Sequence, residues 1–264
     1  ADQPDILVGR SMEMRIIRDI RYKEEHPRQA LDIYLPDTDV FSTLIYMHGG
    51  GLEGGDKADT YIPMSYLAQN GIAAVSINYR IYPDASYPQF IDDSASAVSW
   101  VYHNMKNYGT CRHFFVGGSS AGGYLSMMLC FDKRYLNKHG ISPEDMSGYI
   151  FDAGQPTVHF NVLRERGLDS RRVIIDEAAP LYHVEENANA APMLIIVAEH
   201  DLENRYEQTM LFTSTLKHFN YPQSKVKLIV MKDKTHCQYG DEVDADGNSV
   251  LGHIIYEFIH VSHS

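Results

Sequence analysis

The fold is decided by the stretch Phe114-Phe115-Val116-Gly117-Gly118-Ser119-Ser120-Ala121-Gly122-Gly123. An apolar strand pattern opens this stretch, and a helical pattern follows it at once. Ser120 has Gly118 two positions before it and Gly122 two positions after it, which is the Gly-x-Ser-x-Gly pattern of a nucleophile elbow. Backbone segments approach closely at so sharp a turn, and glycine is therefore preferred on both sides. The pattern predicts Ser120 as the nucleophile, and Ser119, flanked by Gly117 and Ala121, is the alternative.

Short apolar, β-branched runs recur on both sides of this turn and predict strands. They cover residues 15–22, 30–35, 43–47, 72–78, 114–116, 149–152, 193–198 and 226–231. Helical spacing separates most of the later runs, over residues 92–108, 122–131, 205–219 and 250–261. Strands that alternate with helices predict an α/β fold, with a mostly parallel central sheet flanked by helices on both faces. The first two strands have no helix between them, which predicts an antiparallel hairpin at one edge.

The chain has 264 residues, and neither a repeat nor a linker rich in Pro, Gly or Ser divides it. We therefore expect a single α/β domain over residues 1–264. Residues 155–189 fit the alternation of strands and helices poorly. They predict a short helical insertion over the carboxyl edge of the sheet, in the place of a large cap.

Composition excludes several classes of partner. The formal net charge of −12 argues against a nucleic acid, whose phosphates require clustered Lys and Arg. No apolar run approaches the ~18 residues of a membrane span, so we expect no membrane partner. Cys111, Cys130 and Cys237 are too few and too scattered for a disulfide framework. They predict reduced thiols in a cytoplasmic protein, with a secreted enzyme whose signal has been removed as the alternative.

A serine hydroxyl needs a base to remove its proton, and in this fold class the chain order is Ser, acid, His. Ligands of open α/β sheets bind beyond the carboxyl ends of the strands, so the residues that follow each strand are the candidates. Asp201 follows the predicted strand 193–198, and His236 follows the predicted strand 226–231. Both lie in the required order, while Glu199 and Asp233 remain alternative acids.

A second glycine-rich loop, His48-Gly49-Gly50-Gly51, follows the predicted strand 43–47. Because glycine leaves the backbone N–H groups open, a loop of this kind can stabilise a developing oxyanion. A phosphate-binding loop is the competing interpretation. It fits poorly, because Asp56 interrupts the Gly-Lys pair that such loops require and neither Ser nor Thr follows Lys57.

Two weaker patterns could suggest a metal. Glu242-x-Asp244-x-Asp246-Gly247 resembles a calcium loop, but His253 stands at the twelfth position where a bidentate Glu is required. An acidic turn capped by Asn248 or Ser249 before the last helix fits better. His253 and His260 could share a helix face, but two imidazoles without a third ligand make a weak zinc site. We expect no metal and no cofactor.

The sequence resembles the esterase branch of the α/β-hydrolase superfamily related to hormone-sensitive lipase. Three features carry the resemblance: the His48–Gly51 loop, the elbow, and the run Asn78-Tyr79-Arg80-Ile81-Tyr82-Pro83 with Asp92-Asp93. The resemblance covers about residues 31–258. It implies an α/β-hydrolase fold and a triad of Ser120, Asp201 and His236. It also implies an oxyanion hole from the N–H groups of Gly50, Gly51 and Ala121, a loop supported by His48, and a Tyr79-Arg80 turn held by Asp92 or Asp93.

The expected function is that of a serine carboxylesterase that hydrolyses small short-chain acyl esters through an acyl-enzyme. Acetylated or feruloylated carbohydrates are candidate substrates. An arylformamidase-type amidase, similar to kynurenine formamidase, is the main alternative, because it shares an oxyanion loop and a triad of this kind. A ligand receptor on a hydrolase scaffold would normally have lost a member of the triad, and all three are present. The sequence leaves the oligomeric state open.

Overall fold

Eight strands form one sheet in the computed structural model, which describes residues 11–186 and 191–262. In chain order the strands are β1 (Met14–Arg21), β2 (Ala30–Pro36), β3 (Val40–Met47), β4 (Ala73–Ile77), β5 (Thr110–Ser119), β6 (Gly148–Asp152), β7 (Met193–His200) and β8 (Val226–Thr235). Their order across the sheet is β1-β2-β4-β3-β5-β6-β7-β8. β2 pairs antiparallel with both neighbours, and the pairs from β4 to β8 are parallel. The predicted hairpin and parallel sheet are confirmed.

Helices cover both faces of this sheet. They are α1 (Tyr61–Gln69), α2 (Gln89–Asn104), α3 (Ala121–Phe131), α4 (Arg134–Asn137), α5 (Phe160–Glu165), α6 (Arg205–His218) and α7 (Val250–Val261). The last of them has the predicted bounds. The predicted helix over residues 92–108 begins three residues earlier, and its last turn is a 3-10 turn over Met105–Asn107.

Two apolar cores lie on opposite faces of the sheet, because successive side chains of a strand point in opposite directions. On β3, Ile45 and Met47 join the core that packs against α2, α3 and α6. Leu44 and Tyr46 join the core on the other face, against α1 and α7. All four side chains are fully buried. Covered strands of this kind carry continuous apolar runs, which is why their positions were predictable.

The segment predicted as a helical insertion, residues 155–189, is mostly irregular. It contains the short helix α5 and a 3-10 turn over Pro180–His183, and residues 187–189 lie outside the described part of the chain. Asn161 Nδ2 of this segment donates a hydrogen bond to the carbonyl of Gly51 at 2.8 Å. Because Gly51 follows β3, the segment lies at the carboxyl edge of the sheet.

The acidic turn before α7 has the predicted form. Asp244 Oδ1 accepts the backbone N–H groups of Asp246 and Asn248, and Ser249 Oγ caps α7 by accepting the N–H of Gly252. His253 bonds to the hydroxyl of Tyr66 at 2.9 Å. Within residues 11–186 and 191–262, no helix combines the length and the apolar character that a membrane crossing requires.

Candidate active site

Ser120 occupies the turn between β5 and α3, so the predicted strand-turn-helix context is confirmed. Its φ of 55° lies in a region that non-glycine residues rarely adopt. The backbone N–H of Ser120 donates to the carbonyl of Asp152 at 2.7 Å, which fixes the turn against β6. A Cβ atom at Gly118 would lie 2.2 Å from the carbonyl oxygen of Gly122, and one at Gly122 would lie 1.9 Å from that of Met47. Both flanking glycines are therefore required by close backbone approach.

The Ser120 hydroxyl begins a chain of hydrogen bonds through His236 to Asp201. Ser120 Oγ lies 2.7 Å from His236 Nε2, and His236 Nδ1 lies 2.5 Å from Asp201 Oδ1. The Asp201 side chain is fully buried, while the imidazole is one-fifth exposed. These side chains come from the loops after β5, β7 and β8, whose carboxyl ends meet at one edge of the sheet.

The Asp201 carboxyl is held in its charged form. Burial by itself would raise its pKa. The hydrogen bond and charge of His236 act in the other direction, as do the N–H groups of Leu202 and Ala198, and together they lower the pKa below the ordinary value. A carboxylate at this position fixes the orientation of the imidazole by accepting a hydrogen bond at Nδ1.

The alternative residues lie elsewhere. Ser119 Oγ donates to Asp152 Oδ2 at 2.6 Å and has no contact with His236. Glu199 accepts the backbone N–H of Asp233 at 2.7 Å, and both side chains are exposed. Among the described residues, Asp201 is the acid that contacts His236.

The His48–Gly51 loop lies directly against Ser120. A Cβ atom at Gly49 would lie 3.2 Å from Ser120 Cβ. Gly50 and Gly51 adopt φ values of 121° and 67°, which glycine tolerates. No acceptor in residues 11–186 or 191–262 pairs with the N–H groups of Gly50, Gly51 or Ala121. Gly50 also lines, with Ser120 and His236, a cavity of about 290 Å³.

His48 connects this loop to the protein interior. Its ring is fully buried and stacks on Tyr79 with centroids 4.6 Å apart, and the Tyr79 hydroxyl donates to the His48 carbonyl. Burial lowers the pKa of His48 to about 4. The neutral ring donates from Nδ1 to the Gly49 carbonyl, and its Nε2 accepts from Arg28 at 3.2 Å. His48 therefore fixes the loop without contributing a charge.

Parts of the chain are similar in sequence to known proteins. A model of the BD-FAE family matches residues 31–147. The esterase LipC of Mycobacterium tuberculosis is 30% identical over 217 residues, which are 73% of this chain and 53% of LipC. The chain thus spans about half the length of that relative.

Solved structures share the fold at low identity. Esterase B from Lactobacillus rhamnosis gives a TM-score of 0.77 at 17% identity, covering 96% of this chain and 87% of its own. A truncated carbohydrate esterase from gut microbiota gives 0.75 at 17% identity, covering 97% of this chain and 99% of its own.

The chain has the α/β-hydrolase fold. The match to LipC and to the BD-FAE model agrees with the esterase branch predicted from the motifs.

The choice between Asp92 and Asp93 is resolved in favour of Asp93. Its carboxylate accepts three N–H groups of Arg80, from the backbone N, Nε and Nη2, each at 2.9 Å. Gln29 adds a fourth donor at 3.0 Å. Asp92 instead pairs with Lys138 on the surface at 3.1 Å. Asp93 therefore holds the turn at Tyr79 and Arg80.

A buried carboxyl beneath the turn at Ser120 was not predicted from the sequence. Asp152 is fully buried at the end of β6 and accepts hydrogen bonds from Ser119 and, at 2.5 Å, from the Tyr239 hydroxyl. Tyr46 completes the network by donating to Ser119 Oγ. Burial raises the pKa of Asp152 to about 6, although both hydroxyl donors oppose the shift. The signal was an acidic residue at the end of an otherwise apolar strand.

Proposed function

We propose that this chain is a serine carboxylesterase that hydrolyses small short-chain acyl esters. The observation that carries the proposal is the continuous hydrogen-bond chain from Ser120 through His236 to Asp201. In the proposed reaction, His236 Nε2 takes the hydroxyl proton while Ser120 Oγ attacks the ester carbonyl. His236 then gives that proton to the leaving alkoxide, and an acyl-enzyme forms. A water molecule, deprotonated by the same imidazole, releases the acid and restores Ser120.

The N–H groups of Gly50, Gly51 and Ala121 are proposed to stabilise the oxyanion of the tetrahedral intermediate. They have no acceptor in the described parts of the chain, and the loop that carries two of them lies against Ser120. His48 supports that loop through its contacts with Tyr79 and Arg28. Donors fixed before the reaction cost no reorganisation when the charge develops.

The size of the Ser120 cavity supports small substrates. About 290 Å³ is at the low end of ligand pockets, and its walls combine the apolar Pro63 and Leu251 with the acidic Asp59 and Asp241. Acetylated or feruloylated carbohydrates are the candidate natural esters. The triad needs no cation to activate Ser120, so we propose a reaction independent of metals.

A turnover panel tests this proposal. It compares p-nitrophenyl acetate, acetylated sugars, feruloyl esters and N-formylkynurenine, before and after dialysis against EDTA. We expect ester hydrolysis that survives EDTA and is reduced about 10³-fold or more in kcat by Ser120→Ala. Ser119→Ala is the matched control, since it removes a neighbouring hydroxyl and leaves the triad complete. Faster turnover of N-formylkynurenine than of the esters would replace the esterase with an arylformamidase-type amidase.

A further inference from the structure

A second, larger cavity lies beside the proposed catalytic acid. It measures about 650 Å³ and is enclosed by the 155–189 segment on one side and by the start of α6 on the other. Among its lining residues are Gln155, Phe160, Leu202, Arg205 and Gln208. None of these residues has a role in the proposed reaction.

Arg205 lines this cavity and is 95% buried, with 5% of its surface exposed. Its Nη1 donates to the carbonyl of Ala153 at 2.6 Å. Within the described residues, no carboxylate oxygen lies within 4.0 Å of its nitrogens, and no second acceptor pairs with them. Burying a guanidinium without a directly paired carboxylate is costly. Burial lowers the pKa of Arg205, although the charge of Asp201 acts in the opposite direction.

Gln208 adds a second donor to the same wall. Its Oε1 accepts the Thr157 hydroxyl at 2.9 Å, so the amide group is oriented with its NH₂ left over. In the described parts of the chain no acceptor pairs with that NH₂. Arg205 and Gln208 therefore supply hydrogen-bond donors on this wall of the cavity.

The cavity entrance carries mixed charge. Arg171 and Arg172 are exposed there, together with Glu203 and Glu207. Arg171 is itself paired with Asp169 at 2.6 Å. Arg205 is the buried cationic side chain among the residues that line the cavity.

Three links join the cavity to the reacting centre. Ala153, which accepts from Arg205, follows Asp152, whose carbonyl accepts the Ser120 N–H. Leu202 follows Asp201. The ring of Phe160 would lie 3.2 Å from a Cβ atom at Gly51. The cavity therefore borders the backbone that positions Ser120, Asp201 and Gly51.

We propose that this cavity is a carboxylate subsite, and that Arg205 determines specificity for small esters that carry a carboxylate. The proposal rests on the esterase function proposed above. A carboxylate has only acceptors and can take two parallel hydrogen bonds from a guanidinium, which matches the donors of Arg205 and Gln208. It would also supply the anionic partner that the buried guanidinium lacks.

Two pairs of isosteric substrates test the subsite and locate the carboxylate. The alcohol-side pair is 4-acetoxybenzoate and its neutral amide, 4-acetoxybenzamide. The acyl-side pair is monoethyl succinate and ethyl succinamate. We expect wild-type kcat/KM to favour the anionic member of at least one pair by tenfold or more, chiefly through KM. Arg205→Gln should reduce that ratio at least tenfold, and Arg205→Lys should retain part of it.

The control variant is Arg112→Gln, which removes an exposed arginine near the opposite end of β5 and should leave the ratio unchanged. Absence of an anionic preference in the wild type would overturn the subsite, and this result requires no variant to fold. An equal reduction of kcat/KM for both members of a pair in Arg205→Gln would also overturn the subsite. Arg205 would then only support the backbone at Ala153. If the wild type hydrolysed neither member of either pair and did not hydrolyse p-nitrophenyl acetate, the proposed esterase function itself would be overturned.

Discussion

At the scale of single residues, Asp152 and His48 are buried titratable groups on two sides of Ser120. The Asp152 carboxyl keeps its proton to a higher pH than an ordinary carboxylic acid, because burial raises its pKa to about 6. His48 loses its proton more readily than an ordinary imidazole, because burial lowers its pKa to about 4. Each group therefore couples the stability of the fold to pH, and the two couplings have opposite signs.

The Asp152 coupling gives the first prediction. The folded state holds the Asp152 proton more tightly than the unfolded state, in which the carboxyl has its ordinary pKa of 3.8. The contribution of Asp152 to stability therefore falls as pH rises from about 4 to about 6. About two pKa units correspond to about 3 kcal/mol. Asp152→Asn, which cannot ionise, should gain up to about 3 kcal/mol relative to the wild type between pH 4 and pH 7. Urea unfolding of both proteins across that range measures the difference.

Tyr239→Phe is the control for this measurement, because it removes one hydrogen bond to Asp152 and keeps the carboxyl. The stability of Tyr239→Phe should depend on pH as that of the wild type does. The pH at which the stability changes should be higher, because Asp152 has lost a hydrogen-bond donor that lowers its pKa. A difference between Asp152→Asn and the wild type that stays constant from pH 4 to pH 7 would show that Asp152 ionises normally.

The residues that sequence reasoning missed share a physical cause. Asp152 and Arg205 are each single polar residues whose importance depends on contacts more than 30 positions away, with Ser119, Tyr239 and Ala153. No local pattern records such a contact. The sequence could predict Ser120, Asp201 and His236, because each follows a strand and the three occur in the required chain order.

At the scale of elements, the elbow depends on how closely α3 packs against β3. A Cβ atom at Gly122 would lie 1.9 Å from the carbonyl oxygen of Met47, and backbone on both sides leaves no flexible side chain to move. Any side chain there must push α3 away from β3. Since Ser120 precedes α3, the nucleophile would move with it.

Gly122→Ala should therefore reduce both stability and activity. We expect a loss of about 1–3 kcal/mol in the free energy of unfolding, typical of overpacking, with a fall in kcat of at least tenfold. Gly140→Ala is the matched control, because Gly140 has a φ of 70° but no atom within 4 Å of an added Cβ. It should cost about 1–2 kcal/mol from backbone strain and leave kcat unchanged. Unaltered kcat in folded Gly122→Ala would contradict the tight elbow.

Element boundaries show where patterns fail. Helix α1 was not predicted, because Pro63 lies in its first turn and its buried residues are spread around the helix, without a single apolar stripe. β5 begins four residues before the predicted run, since Thr110–His113 are partly exposed and polar. Apolar periodicity identifies the covered centres of elements, while their ends are set by backbone pairing.

At the scale of the whole molecule, charge and cavity size limit the substrates that can reach Ser120. A formal net charge of −12 opposes docking on anionic lipid. The 155–189 segment, whose Asn161 contacts the His48–Gly51 loop, carries Arg164, Glu165, Arg166 and Asp169, and not the broad apolar face of a membrane-binding lid.

These features predict a preference for short acyl chains. Each methylene that is well buried contributes ~0.8 kcal/mol, about fourfold in kcat/KM, until the chain outgrows the cavity of about 290 Å³. Across p-nitrophenyl esters from C2 to C16, which share one leaving group, kcat/KM should be highest between acetyl and butyryl. A maximum at C10 or longer, or a jump in rate above the micellar concentration of the substrate, would indicate a lipase.

The central claim, that Ser120 is a nucleophile activated by His236, is tested most directly by covalent labelling. A fluorophosphonate reacts with the activated serine of a serine hydrolase, and peptide mass spectrometry then locates the adduct. We predict a single adduct on Ser120, retained in Ser119→Ala and strongly slowed in His236→Ala. An adduct on Ser119, or ester turnover without any adduct on Ser120, would contradict the account.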